Sequence, residues 1–223
     1  MRKTIPIVLA LITVATQPAA AIFEVGADGG YISQSFTYVA TSSSGTTQTS
    51  AKDYAGYTLG GYGHFTFGLP NVLTVGVGPQ LAFSGQSIKS LETGYTSQTL
   101  SFVRFGLDLK LQAEALPVVK PFVRIAFGKD SGTWTFEGPY SGQTRIDKYS
   151  VGGLYYNALV GIQFSIAPIL SLYIQGGLTG GGKSSGKLES ITLNGKDQSF
   201  IQLGTVEVSY SGYMINAGAS LAF

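Results

Sequence analysis

The sequence lacks cysteine and is poor in charge. Its 223 residues contain no Cys, a single His, a single Trp and only 12% charged residues. The chain therefore cannot be stabilised by disulfides, on which small exported domains often depend. Since the usual ligands of transition metals are also scarce, we predict neither a metal site nor a cofactor.

Long hydrophobic runs are missing as well. Beyond residue 21 no ten consecutive residues are apolar, which excludes a helical membrane protein. Apolar residues nevertheless make up 44% of the chain, which excludes intrinsic disorder. The hydrophobic residues must therefore be dispersed along the chain in some regular way.

The first 21 residues have the features of a secretory signal peptide. Arg2 and Lys3 precede an apolar stretch over 5–14, and alanines occupy 19–21 as an Ala-x-Ala exit. We predict cleavage after Ala21, which leaves residues 22–223 as the mature protein. Its 12 basic residues would then equal its 12 acidic residues. We expect no nucleic-acid partner, because that would require a clustered basic surface.

The mature chain alternates apolar and polar residues. Between Val103 and Leu111 the odd residues are all large and apolar, whereas the even ones are Arg104, Gly106, Asp108 and Lys110. A period of two is typical of a strand with two unlike faces. The pattern predicts eight strands, at about 22–36, 54–67, 72–83, 103–111, 118–129, 151–165, 169–179 and 213–223. Pro79, within the third, predicts a bulge or an end of regular pairing.

Short and long connections alternate between these strands. The short ones are 68–71, 112–117 and 166–168, and the others are long and rich in Ser, Thr, Gly and Lys. Outer-membrane barrels have this arrangement, with short turns at one mouth and long loops at the other. We predict an all-β protein, an eight-stranded antiparallel up-and-down transmembrane β-barrel in a bacterial outer membrane. A secreted lipocalin is the alternative barrel, but the Gly-x-Trp start of lipocalins is missing, since Trp134 falls in a predicted loop.

The C-terminal octapeptide carries a more specific signal. Asn216, Gly218, Leu221 and Phe223 resemble the β-signal that ends outer-membrane barrels, which implies recognition by the barrel-assembly machinery. The whole mature chain resembles the OmpA-type family of small outer-membrane barrels, which includes OmpX- and OmpW-like proteins. We expect no peptidoglycan-binding domain after Phe223, and we expect a monomer surrounded by outer-membrane lipid.

The inward face of the predicted barrel is polar and charged. An eight-stranded barrel is just wide enough for side chains to fill it, and buried charges must be paired. A paired network would form a plug, whereas Arg104 and Arg124, at mid-height on adjacent strands, would meet the solute in a narrow path. The predicted lumen network comprises Glu24, Asp28, His64, Arg104, Asp108, Lys110, Lys120 and Arg124.

Enzymatic activity is not expected. Lipid-modifying outer-membrane enzymes need a histidine paired with a serine near the outer leaflet. His64 instead comes shortly before a short turn, and the residue two positions later is Thr66.

The predicted outer loops hold the candidates for interaction. Trp134, Phe136 and Tyr140 would either rest on the barrel rim or anchor an extracellular partner. Asn194-Gly195 predicts a type I′ hairpin turn, which either continues strands 7 and 8 above the membrane or adds two strands to the barrel. Lys183, Lys187, Lys196 and Asp197 argue against the second alternative.

Together these patterns predict a non-enzymatic outer-membrane protein with a filled polar lumen. It would have a structural role in the envelope and would bind an extracellular ligand through its outer loops. The alternative function is a narrow channel for small solutes or hydrophobic molecules.

Overall fold

The computed structural model describes residues 22–42, 47–69, 72–88, 96–114, 118–198 and 204–223. The predicted signal peptide, at 1–21, lies outside this range. The strands are β1 (Ile22–Ser42), β2 (Thr47–Leu69), β3 (Leu73–Ile88), β4 (Ser97–Ala113), β5 (Val119–Tyr140), β6 (Gln143–Ser165), β7 (Leu170–Leu193), β8 (Lys196–Gln198) and β9 (Gly204–Ala222). None of the residues described here forms a helix that is long and apolar enough to cross a membrane.

Eight of these strands close into a ring. Each of β1 to β7 pairs antiparallel with the next, and β9 pairs with both β7 and β1. The predicted eight-stranded antiparallel up-and-down barrel is therefore confirmed. Following paired residues once around the ring from Phe23 leads back to Ser33 on β1. This ten-residue stagger means that the strands are strongly tilted, as closed barrels require.

The alternation of the sequence separates two faces. Large apolar side chains, such as Phe65, Phe105, Leu154 and Leu178, are exposed around the outside. Polar and charged side chains of the opposite parity are buried in the interior. Water-facing surfaces do not expose contiguous apolar belts of this size, whereas lipid-facing ones do. We call this outer surface the lipid-facing belt.

The strands are longer than predicted. The eight strands of the ring run from 16 residues in β3 to 24 in β7, whereas about 9–11 residues suffice to cross the membrane. The predicted long loop between the fifth and sixth strands is therefore wrong. β5 and β6 pair without a break up to Tyr140↔Gln143, and Ser141-Gly142 turns the chain with φ of 50° and 79°. Since Ser and Thr are abundant in these extensions, composition alone made them look like loops.

The predicted hairpin at Asn194-Gly195 is confirmed. Its φ values are 48° and 78°, as a type I′ turn requires. It joins β7 to the short strand β8, which pairs with residues 191–193. The hairpin thus extends β7 beyond the barrel and adds no strand to the ring.

Pro79 does not produce a bulge. It faces outward and stays in register with Leu107 on β4. The β2–β3 pairing lapses opposite Pro79 and resumes in the same register at Phe65↔Val77. The missing N–H of proline therefore removes local bonds without shifting the strand.

Candidate functional site

The interior of the barrel is the most elaborate polar site of the protein, and Arg124 lies at its centre. Its Nε and Nη2 atoms are each 2.5 Å from Oδ2 of Asp108 on the neighbouring strand. Its Nη1 atom donates to Oδ2 of Asp28, 3.0 Å away on β1. Because β1 and β5 are on opposite sides of the ring, this bond crosses the whole lumen.

Asp28 collects further donors around the ring. It accepts hydrogen bonds from Tyr173 (3.1 Å), Gln175 (3.2 Å) and Asn216 (2.9 Å). With the guanidinium of Arg124, these bonds satisfy both carboxylate oxygens. A buried carboxylate needs such partners, because its desolvation otherwise costs several kcal/mol.

A second ion pair lies closer to the short turns. Lys110 donates to both carboxylate oxygens of Glu24, at 2.8 and 3.1 Å, and to Gln163 at 2.6 Å. Tyr62 also donates to Glu24, at 3.0 Å. These side chains belong to four strands, so the pair ties together distant parts of the barrel wall.

His64 lies in the same region and is fully buried. Its Nε2 atom is 3.6 Å from Oδ1 of Asp108, beyond normal hydrogen-bond length. Its ring packs against Tyr62, with centroids 4.4 Å apart, and against the backbone at Gly76. His64 therefore lines the closed lumen and does not reach the lipid-facing surface.

Arg104 lies above this network and has a different environment. Its Nη2 atom donates to Gln34 at 3.3 Å, and its guanidinium lies 5.5–5.9 Å from the rings of Phe102, Tyr155 and Tyr210. Its Nε and Nη1 atoms have no hydrogen-bond partner among the described residues. The structure thus separates Arg104 from the Asp28–Arg124–Asp108 group.

The space between the two arginines is very small. It is lined by Arg104, Arg124, Asp28, Asn157 and Asn216, among others. About 10 Å³ is open to the centre of a water-sized molecule, which is room for about one water. This cavity therefore has no room for a solute larger than water.

Aromatic side chains fill the lumen above Arg104. Trp134 is only 3% exposed, and its indole N–H donates to the Tyr54 hydroxyl at 2.8 Å. Phe36, Phe102 and Tyr210 pack in the same cluster. Trp134 was predicted to be exposed in a loop, and this is wrong: it lies in β5 and faces inward, with the same parity as Arg124.

The other two aromatic candidates lie further along β5. Phe136 is half-buried and packs against Trp134, with ring centroids 4.6 Å apart, so its predicted place in an exposed loop is also wrong. Tyr140 is 52% exposed at the tip, and the guanidinium of Arg145 lies 5.4 Å from its ring. Tyr140 is thus the one of the three that is accessible to a partner.

Lys120 lies at the end of the lumen with the short turns. It forms an ion pair of 2.7 Å with Glu114, which also accepts from Gln112 (2.7 Å) and Thr74 (3.0 Å). Partial burial alone would raise the pKa of Glu114, but the bonds from Lys120 and Gln112 outweigh it and hold the pKa below its usual value. Lys120 therefore belongs to a rim cluster, apart from the central network.

The C-terminal residues lie at the seam between the first and last strands. Asn216 faces inward and bonds to Asp28, and Gly218 leaves room for the ring of Tyr173. Leu221 and Phe223 face outward. The backbone of Phe223 exchanges two hydrogen bonds with Phe23, at 2.8 and 3.1 Å, which closes the ring at its end.

Several residues of the interior network were not predicted from the sequence. Gln34 bridges Arg104, Gln86 and Thr179, and Asp130 accepts from Tyr210 and from the backbone of Gly153. The alternation along the strands could have identified both residues. Gln34 has an even number like the inward-facing Asp28 on β1, and Asp130 has an even number like the inward-facing Arg124 on β5. Among the described residues, no group of three potential metal ligands comes together.

A closed eight-stranded ring, an apolar outer belt and a polar interior together define a β-barrel of the bacterial outer-membrane class. No protein-family model matches the sequence, and none of the curated proteins does.

Solved structures of outer-membrane barrels do match. The outer-membrane protease OmpT from Escherichia coli is 11% identical, with 92% of this chain and 97% of that chain covered and a TM-score of 0.55. Neisserial surface protein A is 13% identical, with 90% and 97% covered and a TM-score of 0.43. The attachment invasion locus protein Ail of Yersinia pestis is 16% identical, with 90% and 98% covered and a TM-score of 0.35. At these identities the likeness concerns the fold.

Proposed function

We propose that the protein is a non-enzymatic, monomeric outer-membrane barrel with a closed lumen, which supports the envelope. Its outer extension, formed by the hairpin tips of β5–β6 and β7–β8, would be the part that interacts with a partner. The observation that carries this proposal is the bond between Arg124 and Asp28 across the whole lumen. Together with the aromatic cluster above it, this bond leaves room for about one water molecule between the arginines.

The absence of enzymatic activity is part of the proposal. His64, the single histidine of the sequence, lies in the sealed interior. A hydrolytic site on the outer leaflet would need its general base at the lipid-facing surface. A lipid-modifying activity that disappears in a His64→Ala variant would contradict this part.

The outer extension supports the proposed role in interaction. The two hairpin tips of β5–β6 and β7–β8 are joined by Asn194, which donates its backbone N–H to Thr144 at 3.0 Å and accepts from the Thr144 N–H at 3.1 Å. A surface ordered in advance loses little conformational entropy when it binds a partner.

The deciding experiment is electrical recording from the refolded protein in a planar bilayer, combined with solute uptake into vesicles. We expect no ohmic steps and no uptake. Stable single-channel steps from the wild-type protein would favour the second candidate, a narrow path for small solutes. The position of both Arg104 and Arg124 on one cavity is the observation that favours this candidate.

A further inference from the structure

The lipid-facing belt is concave on the side formed by β4, β5, β6, β7 and β9. The concave region has a volume of about 760 Å³, which lies in the range of sites that hold small ligands. Its surface is almost entirely apolar.

The pairing of the strands arranges the outward side chains of this region in two rows. The upper row crosses five strands through the directly paired residues Leu111, Val123, Val160, Gly176 and Ile215. The lower row, nearer the short turns, contains Pro121, Ile162 and Ile174. We call the space between the two rows the oblique groove.

The oblique groove is long and narrow. Its rows are two residues apart along each strand, which is about 7 Å. The inward-facing residues between the rows form its floor, and they are Phe122, Gly161 and Gln175. Five strands with a spacing of about 4.8 Å give the groove a length of about 19 Å. These are the proportions of a single extended hydrocarbon chain.

The groove rises as it passes around the barrel. On β4 its upper row begins at Leu111, two residues before the strand ends at Ala113 on the short-turn side. On β9 the same row reaches Ile215, seven residues before the strand ends at Ala222. For strands tilted by about 40° the rise is about 12 Å, whereas the hydrocarbon of one leaflet is about 15 Å thick. The groove therefore lies within the leaflet on the short-turn side.

We propose that the oblique groove holds one acyl chain of a phospholipid of the periplasmic leaflet. In outer-membrane barrels the short turns face the periplasm, so the low end of the groove starts near the headgroups of that leaflet. Because the membrane interior is as apolar as the groove, the chain is held by close packing and not by transfer from water. The convex wall of a second barrel would rest on the two rows and could not reach the floor. This inference holds whether or not the lumen conducts.

Gly176 keeps the upper row low where it crosses β7. A Cβ atom there would be 3.4 Å from the carbonyl oxygen of Met214 and 3.6 Å from Cγ1 of Ile215, and both are ordinary contacts. Gly176→Leu is therefore sterically possible and should obstruct the groove. The matched control is Gly61→Leu on the outward face of β2, where the nearest atom to an added Cβ is the Gly26 carbonyl oxygen at 3.4 Å.

The test is photo-crosslinking of the refolded protein in liposomes. The probe is phosphatidylethanolamine with a diazirine either at the middle or near the end of one acyl chain, and mass spectrometry maps the labelled residues. We expect the mid-chain diazirine to label Val160 about three- to tenfold more than Phe65, a similarly exposed residue at a similar depth on β2. The chain-end diazirine should label Ile215 most, because the bound chain passes obliquely around the wall.

Gly176→Leu should abolish the enrichment at Ile215, whereas Gly61→Leu should leave it unchanged. Equal labelling of all strands at each depth would overturn the proposal, as would a wild-type dimer that protects Val160 from the probe. An equal loss of labelling in the two variants would also overturn it. Heat-modifiable mobility on gels verifies that each variant is folded.

Discussion

Arg124 and Asp28 meet in the middle of the barrel although their strands lie on opposite sides of the ring. Their bond of 3.0 Å holds one wall of the barrel to the other, and Asp108 fixes the remaining guanidinium nitrogens.

Replacement of Arg124 by Met should strongly destabilise the barrel. It leaves Asp108 and Asp28 buried without their cation, and such a loss typically costs about 3–5 kcal/mol. Guanidinium unfolding of the protein in micelles measures the change. Lys129→Met, on the exposed face of the same strand, should cost less than about 0.5 kcal/mol. The triple variant with Asp28→Asn and Asp108→Asn should recover much of the loss; if it does not, charge pairing is not the cause.

The single tryptophan provides a direct probe of the aromatic cluster. Because Trp134 is buried inside the barrel, its fluorescence should be blue-shifted and poorly quenched both by iodide in solution and by brominated acyl chains in the bilayer. An exposed loop would give strong iodide quenching. Trp134→Phe removes the bond to Tyr54 and should lower the free energy of unfolding by about 1 kcal/mol or somewhat more.

Asn194 should control the mobility of the hairpin tips. Asn194→Gly keeps the positive φ accessible but removes the side-chain acceptor for the Thr144 amide. Loss of one hydrogen bond of about 1 kcal/mol should speed exchange of that amide about fivefold to tenfold. Gln143→Ala, at an exposed neighbouring position, is the control. Unchanged exchange in Asn194→Gly would show that the tips are held by other contacts.

The rim ion pair should give a defined pH dependence. Since the pKa of Glu114 is held below its usual value, its ionised form stabilises the folded protein above the unfolded-state pKa of about 4.3. This stabilisation is lost as the pH falls through the lower folded value. The difference in stability between the wild-type protein and Lys120→Gln should therefore be present at neutral pH and shrink in acid. A difference that is constant with pH would exclude the ion pair as its source.

The C-terminal residues should separate assembly from stability. Phe223 is the last residue of the predicted assembly signal, so Phe223→Ser should reduce assembly in cells. Because its side chain is 65% exposed, the refolded variant should keep most of its stability. Asn216→Ala should impair both, because Asn216 also bonds to Asp28. Yields of folded protein in outer membranes and unfolding in vitro distinguish the two effects. Equal behaviour of the two variants would contradict this division.

The sequence allowed the strands and their faces to be predicted because a lipid-facing surface tolerates only apolar residues. The alternation of apolar and polar residues alone then predicted that Arg104 and Arg124 face the interior. The actual partners could not be predicted in this way, because the stagger of the ring decides which inward residues share a level. Arg124 therefore reaches Asp28, and Arg104 lies among aromatic rings.

Above the belt the predictions were poorer for a related reason. The outward positions there, such as Thr133 and Thr135, are polar, so apolar alternation is lost although the strand continues. Trp134 lies between them and was therefore assigned to a loop. The remaining indication that Trp134 faces inward was its even residue number, since the inward-facing Arg124 on the same strand also has an even number.

The unbroken pairing of β5 with β6 places the tip of this hairpin far beyond the lipid-facing belt. Phe127 lies at the top of the lipid-facing belt, and the same strand continues to Tyr140. At about 3.3 Å per residue and a tilt of about 40°, the tip is about 30 Å beyond the belt. Tyr140 is thus carried past the lipid headgroups at the end of a continuous two-stranded ribbon.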